Sequence, residues 1–139
     1  MPSFLIFIIA SFTSQLFKFI IELIKARKLD FRKLVEPGGM PSSHTASFVA
    51  LSTALWIQHG VKSGVFGISL ALTLYIIYEA AGWRRAAGRQ AEILNKIAEI
   101  VLAQHKMPFE RLRELWGHTP LEIIMGILLG FGIGLLALL

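Results

Sequence analysis

From about residue 4 to 24 the chain stays apolar for long enough, at roughly 20 residues per crossing, to span a bilayer as a helix. Three further apolar runs follow, at about 44–59, 64–82 and 120–139. A chain with four such runs has few alternatives: it predicts an all-α integral membrane protein of four transmembrane helices, with one cytoplasmic amphipathic helical segment between spans three and four. The composition agrees, since 55% hydrophobic content and a mean hydropathy of +0.64 exceed what an ordinary soluble domain carries. With 139 residues a single membrane domain, 1–139, is expected. The first run has no basic leader and no small-residue cleavage site, so it reads as a span and not as a cleaved signal.

Charge sets the orientation. Lys25, Arg27, Lys28, Arg32 and Lys33 lie between runs one and two, and Arg84, Arg85, Arg89, Lys96, Lys106, Arg111 and Arg113 between runs three and four. Both basic connections fall on one side of the membrane and should be cytoplasmic, with both termini outside. The second connection, about 84–117, carries Ile93, Leu94, Ile97, Ile100 and Val101 at helical spacing and predicts an amphipathic helix on the membrane or against the bundle. Met107-Pro108 should break it, and a short helix should follow. The same topology brings His44, Glu79, Arg84, Arg85 and His118 to one face. The localisation implied is multi-pass, in a bacterial-type cytoplasmic membrane or an organellar membrane.

Two short segments carry the residues suited to chemistry. The first, Gly38-Gly39-Met40-Pro41-Ser42-Ser43-His44, opens the second run. Glycine lets backbone approach a ligand, Ser42 or Ser43 can cap, and the N–H groups of a helix start favour an anion such as phosphate. The second is Gly117-His118-Thr119-Pro120-Leu121-Glu122. At four-residue spacing a carboxylate reaches the imidazole and can orient it as nucleophile or base. Thr119-Pro120-Leu121-Glu122 is equally a capping box with proline at the first helical position, and the two roles need not exclude each other.

Arg84 and Arg85, bracketed by Gly82 and Gly88 with Glu79 as countercharge, offer planar forks to phosphate oxygens; the plainer reading is anchoring to anionic headgroups. Arg89 could join them, with Glu92 as its ion-pair partner. Lys18, deep in the first run, either snorkels to the interface or faces a polar cavity. Gly126, Gly130 and Gly134 lie four apart and suit close packing, within one chain or between chains of a homo-oligomer. The absence of cysteine excludes disulfides and thiolate chemistry. A nucleic-acid partner is not expected, because the basic residues hug the membrane without interleaved exposed aromatics.

Taken together, Gln15 with Lys18, Gly39-Met40-Pro41-Ser42-Ser43-His44, the run from Gly82 to Ala91, Leu94-Asn95 and Gly117-His118-Thr119-Pro120-Leu121-Glu122 resemble the divergent type 2 phosphatidic acid phosphatase group, related to vanadium-dependent haloperoxidases. The resemblance covers nearly the whole chain. It implies a membrane-embedded phosphatase acting on a lipid phosphate or diphosphate, without metal or cofactor. By that resemblance His118 attacks phosphorus, Glu122 orients it and His44 protonates the leaving group, while Lys18, Ser42, Ser43, Arg84, Arg85 and Arg89 bind phosphate with support from Gly39 and Glu79. Ser43 stands where the related motif has glycine, and Glu122 where it has aspartate. The arginine expected six residues before the nucleophile is missing, with Arg111 and Arg113 at seven and five. A non-catalytic protein that binds anionic lipid, or a scaffold, is the competing class. A transporter is disfavoured by the lack of an internal repeat.

Overall fold

The computed structural model describes residues 1–26, 39–104, 109–112 and 118–137, and all regular structure among them is helical. The helices are α1 (Ser3–Ala26), α2 (Ser43–His59), α3 (Gly64–Ala81), α4 (Trp83–Gln104) and α5 (Pro120–Leu136). Each apolar run contains one helix, and α4 occupies the first two-thirds of the charged connection. Residues 109–112 are not helical; the rest of the short helix expected after Met107-Pro108 lies outside the described residues.

Helix α2 stands at the centre and packs against α1, α3 and α5, whereas α1 and α3 share no contact among the described residues. Polar contacts fix the directions. Ser3 Oγ donates to Gln58 Oε1 at 2.6 Å at one end, and Lys18 Nζ donates to Ser43 Oγ at 3.3 Å at the other, so α1 and α2 are antiparallel. Between α2 and α3, Ser52 Oγ donates to Ser69 Oγ at 3.0 Å and lies 3.0 Å from Thr73 Oγ1. The turn joining them depends on Gly60, whose φ of 80° few side chains tolerate; its N–H closes on the Trp56 carbonyl at 2.8 Å.

Helix α5 runs parallel to α2 with backbones nearly touching. A Cβ on Gly126 would sit 2.8 Å from the Ser42 carbonyl oxygen, one on Gly134 would sit 2.9 Å from that of Ala50, and one on Gly130 would collide with the Ala46 backbone. Glycine every fourth residue thus leaves a groove that α2 fills with Ala46 and Ala50. This answers where the stripe packs: within the chain.

Apart from Ile6 and Ile123, what is buried is small or polar, while most large apolar side chains point outward. Ser14, Ser42, Thr45 and Ser47 are almost fully enclosed, while Phe12 is 73% exposed, Ile68 67% and Leu128 61%. Such an arrangement is the reverse of a water-soluble core. By length and composition, Ser3–Ile24 and Gly64–Leu102, which runs through α3 into α4, can cross a membrane; Pro120–Leu136 is apolar but shorter. Helix α2 has the least need to be apolar, since its neighbours cover it on three sides.

Candidate functional site

The site end of the bundle gathers the C-terminal part of α1, the start of α2, the last turn of α3 and the start of α5. His118 precedes α5 and is held from three directions. Its backbone N–H donates to the Ala80 carbonyl in α3 at 3.3 Å. Its Nδ1 lies 2.8 Å from Glu122 Oε2. Its side chain is almost enclosed, at 6% exposure.

The same Glu122 oxygen also accepts the Thr119 N–H at 3.2 Å, while Thr119 Oγ accepts the Glu122 N–H at 3.3 Å. The capping box is therefore formed, with Pro120 in its first turn. Capping and imidazole orientation, two readings of one sequence pattern, meet on a single atom. The cap immobilises Oε2, and the immobilised Oε2 fixes the ring. In a neutral ring that donates Nδ1–H to this carboxylate, Nε2 carries the lone pair.

Helix α2 is tied to this unit through its first residues. The Ser42 N–H donates to the Glu122 carbonyl at 3.0 Å. Ser42 occupies the N-cap position, yet its hydroxyl makes no cap bond. It accepts instead from Thr45 Oγ1 at 3.0 Å, because the close approach of Gly126 holds that side chain against α5. The expected serine cap is thus replaced by a contact between hydroxyls. Lys18 does not snorkel: it is 6% exposed and bonded to Ser43. Gly39, at φ 84°, passes over the Lys18 stem, where a Cβ would lie 3.9 Å from Lys18 Cδ. One turn before Lys18, Gln15 Oε1 is buried and accepts no hydrogen bond among the described residues.

The structure therefore joins His118, Glu122, Ser42, Ser43, Lys18 and Gly39 at one end. Glu79 is half-buried beside Ala80 in α3. His44 is exposed in the first turn of α2. Arg89 is exposed on α4, and Glu92 bonds Lys96 at 2.8 Å instead of pairing with it. A glutamate four residues before a lysine is the better helical pairing, and it holds the Glu92 carboxyl below the usual carboxylate range. The side chains of Arg84 and Arg85, and all of Arg113, lie outside the described residues. Arg111 pairs with Glu99 at 3.2 Å.

Two contributors had no role assigned from the sequence, although Asn95 is among the residues that carry the resemblance. The Ala80 carbonyl is backbone. Asn95, 1% exposed, donates to the Leu112 carbonyl and accepts its N–H, both at 2.8 Å, clamping the connection that leads towards His118 onto α4.

One family model and one curated relative match this chain. The sequence profile described as "Divergent PAP2 family" matches residues 2–133. The chain is 37% identical over 128 residues to "Uncharacterized membrane protein YuiD" of Bacillus subtilis (strain 168), an alignment covering 84% of this chain and 81% of that protein. No solved structure matches.

Proposed function

The chain belongs to the divergent PAP2 family, and on that premise we propose that it is a multi-pass membrane phosphatase for a lipid phosphate or diphosphate. In this reading α1, α2, α3 and α5 are four spans, the outward apolar side chains face lipid, and the basic connections place the site at the cytoplasmic face. The name of the Bacillus relative as a membrane protein supports the setting. The observation that carries the chemistry is the 2.8 Å contact between His118 Nδ1 and Glu122 Oε2 in an enclosed position.

His118 Nε2 forms a bond to phosphorus as the bond from phosphorus to the leaving oxygen breaks. The departing alkoxide, or phosphate from a diphosphate, takes a proton from the His44 imidazolium. Glu122 stabilises the positive charge that develops on the His118 ring. Water then attacks the phosphohistidine, giving its proton to His44 as the N–P bond breaks and inorganic phosphate leaves. Lys18, Ser42 and Ser43 hold phosphate oxygens with the N–H groups at the start of α2; Arg84, Arg85 and Arg89 complete the cradle, Gly39 leaves room and Glu79 offsets the arginine charge.

The capping box favours a second reading, since Thr119 and Glu122 would meet at a helix start whether or not the site turns over. A lipid-binding protein or scaffold would then use the same cations for headgroups. Phosphate release by purified protein in detergent, on a panel of lipid phosphates and diphosphates with chelator present and with vanadate as inhibitor, separates the two. Turnover lost in His118→Ala supports the phosphatase. Headgroup binding with no turnover across the panel supports the scaffold, and full turnover by His118→Ala removes His118 as nucleophile.

A further inference from the structure

Helix α4 has three different sides. At about 100° per residue, Gly88, Ala91 and Asn95 fall on one of them and are buried. Asn95 holds Leu112 there by two hydrogen bonds of 2.8 Å, so the connection that follows covers this side. The second side carries charge: Glu92, Lys96 and Glu99 are exposed, with Lys96 bonded to Glu92 and Glu99 paired with Arg111. The third is apolar. Ile93, Leu94, Ile97, Ile100 and Val101 lie within a sector about 120° wide, on the far side from Asn95, and each is between 48% and 65% exposed. No charged residue of α4 falls inside that sector. The bundle does not cover it, because among the described residues α3 is the only helix that α4 touches.

Two observations indicate what lies against the apolar side. The first is where the helix begins. Tyr75 and Tyr78, near the end of α3, are well exposed, and exposed tyrosines at the end of an apolar span mark the level of the lipid headgroups. Trp83 opens α4 little more than one turn later. The second is the order of charges around the helix. Arg89 and Lys96 stand about 20° and 40° beyond the Ile100 edge of the sector, whereas Glu92 and Glu99 stand about 80° and 100° beyond it. Cations border the apolar strip and acids are set back. A helix in the headgroup layer of an anionic leaflet needs that order: apolar side chains enter the acyl boundary, cationic heads sit among phosphates, and acids point to water. Paired helices of two copies would call for both signs along the strip's edge. The exposed bond between Lys96 and Glu92 contributes little by itself, so headgroup phosphates can compete for the ammonium.

We infer that α4 lies in the headgroup layer on the site's side of the membrane, with Ile93, Ile97 and Ile100 in the acyl boundary, and that Lys96 and Arg89 make it favour an anionic leaflet. The inference needs the membrane setting and not turnover at His118. Because Asn95 ties Leu112 to the same helix, the connection leading to His118 is anchored to the leaflet as well.

The chain has no cysteine, so single cysteines replacing Glu92, Ile93, Ile97, Glu99 and Ile100, all exposed, can each carry a nitroxide. The full chain is reconstituted in phosphatidylcholine vesicles with or without phosphatidylglycerol, and electron paramagnetic resonance compares collisions with oxygen, which concentrates in hydrocarbon, against those with a water-soluble nickel chelate. In the anionic vesicles the oxygen-to-nickel ratio at positions 93, 97 and 100 should exceed that at 92 and 99 about threefold or more. At 97 it should fall about twofold in pure phosphatidylcholine or with Lys96→Gln. Equal ratios at all five positions would overturn the inference. Spectral broadening at 97 that disappears on dilution with unlabelled protein would show a second copy on the strip and would also overturn it. A ratio at 97 indifferent to both phosphatidylglycerol and Lys96→Gln would overturn the choice of an anionic leaflet.

Discussion

Helices α5 and α3 both carry glycines, and the two sets do opposite things. Gly126, Gly130 and Gly134 lie so close to the α2 backbone that a single added carbon would collide or press against it, whereas a Cβ on Gly64 or Gly67 would meet nothing within 4 Å. The seam with α2 also continues into the site, because the Ser42 N–H that reaches Glu122 sits at its upper end. Small residues in an apolar helix therefore mark a contact only where another backbone arrives, and here that contact sets the register of the residues proposed to act.

The contrast is easiest to break at Gly130. Gly130→Val would force α5 away from Ala46, with an expected loss of about 3 kcal/mol and loss of the site; unfolding in detergent at wild-type temperature would show that the seam is not tight. Next comes Glu122→Gln, which keeps the side chain's length and an oxygen for the cap but removes the charge. Its kcat should fall about 100-fold or more with little change in unfolding temperature. The reverse pattern, full turnover with a marked drop in stability, would leave Glu122 as a cap alone. Ser52→Ala removes the hydroxyl shared by Ser69 and Thr73 and should lower stability by about 0.6 kcal/mol, the usual size of a hydrogen bond between membrane helices. The smallest effect belongs to Gly67→Ala, which should leave stability unchanged or raise it by about 0.5 kcal/mol, since the methyl has open space and alanine favours helix. A loss there would reveal a neighbour against α3.

Much of the helical architecture was legible because apolar run length and helix length obey the same constraint. The contact between His118 and Glu122 was suggested by their spacing, although His118 precedes the helix and Glu122 meets it by reaching back over the extended Thr119 as the capping-box residue. The choice between cap and orienting acid was not, since both rest on the same spacing, and only coordinates show one oxygen serving both. Pairing Arg89 with Glu92 failed because Lys96 competes for the same carboxylate from the better position.

Contacts between distant segments needed the fold. Lys18 and Ser43 are 25 residues apart, and no local rule says whether a lysine in an apolar run turns outward to water or inward to a hydroxyl. The side of α2 on which His44 lies follows from where α1, α3 and α5 dock, and the partner of the glycine stripe from which backbone fits its groove. Periodicity and composition determined that this chain is a set of apolar helices with polar residues clustered at one end, because those properties act within a few turns. The tertiary structure alone decided which helix stands at the centre, which buried polar groups meet and which face remains open, because these depend on shape matching between segments that the sequence lists far apart.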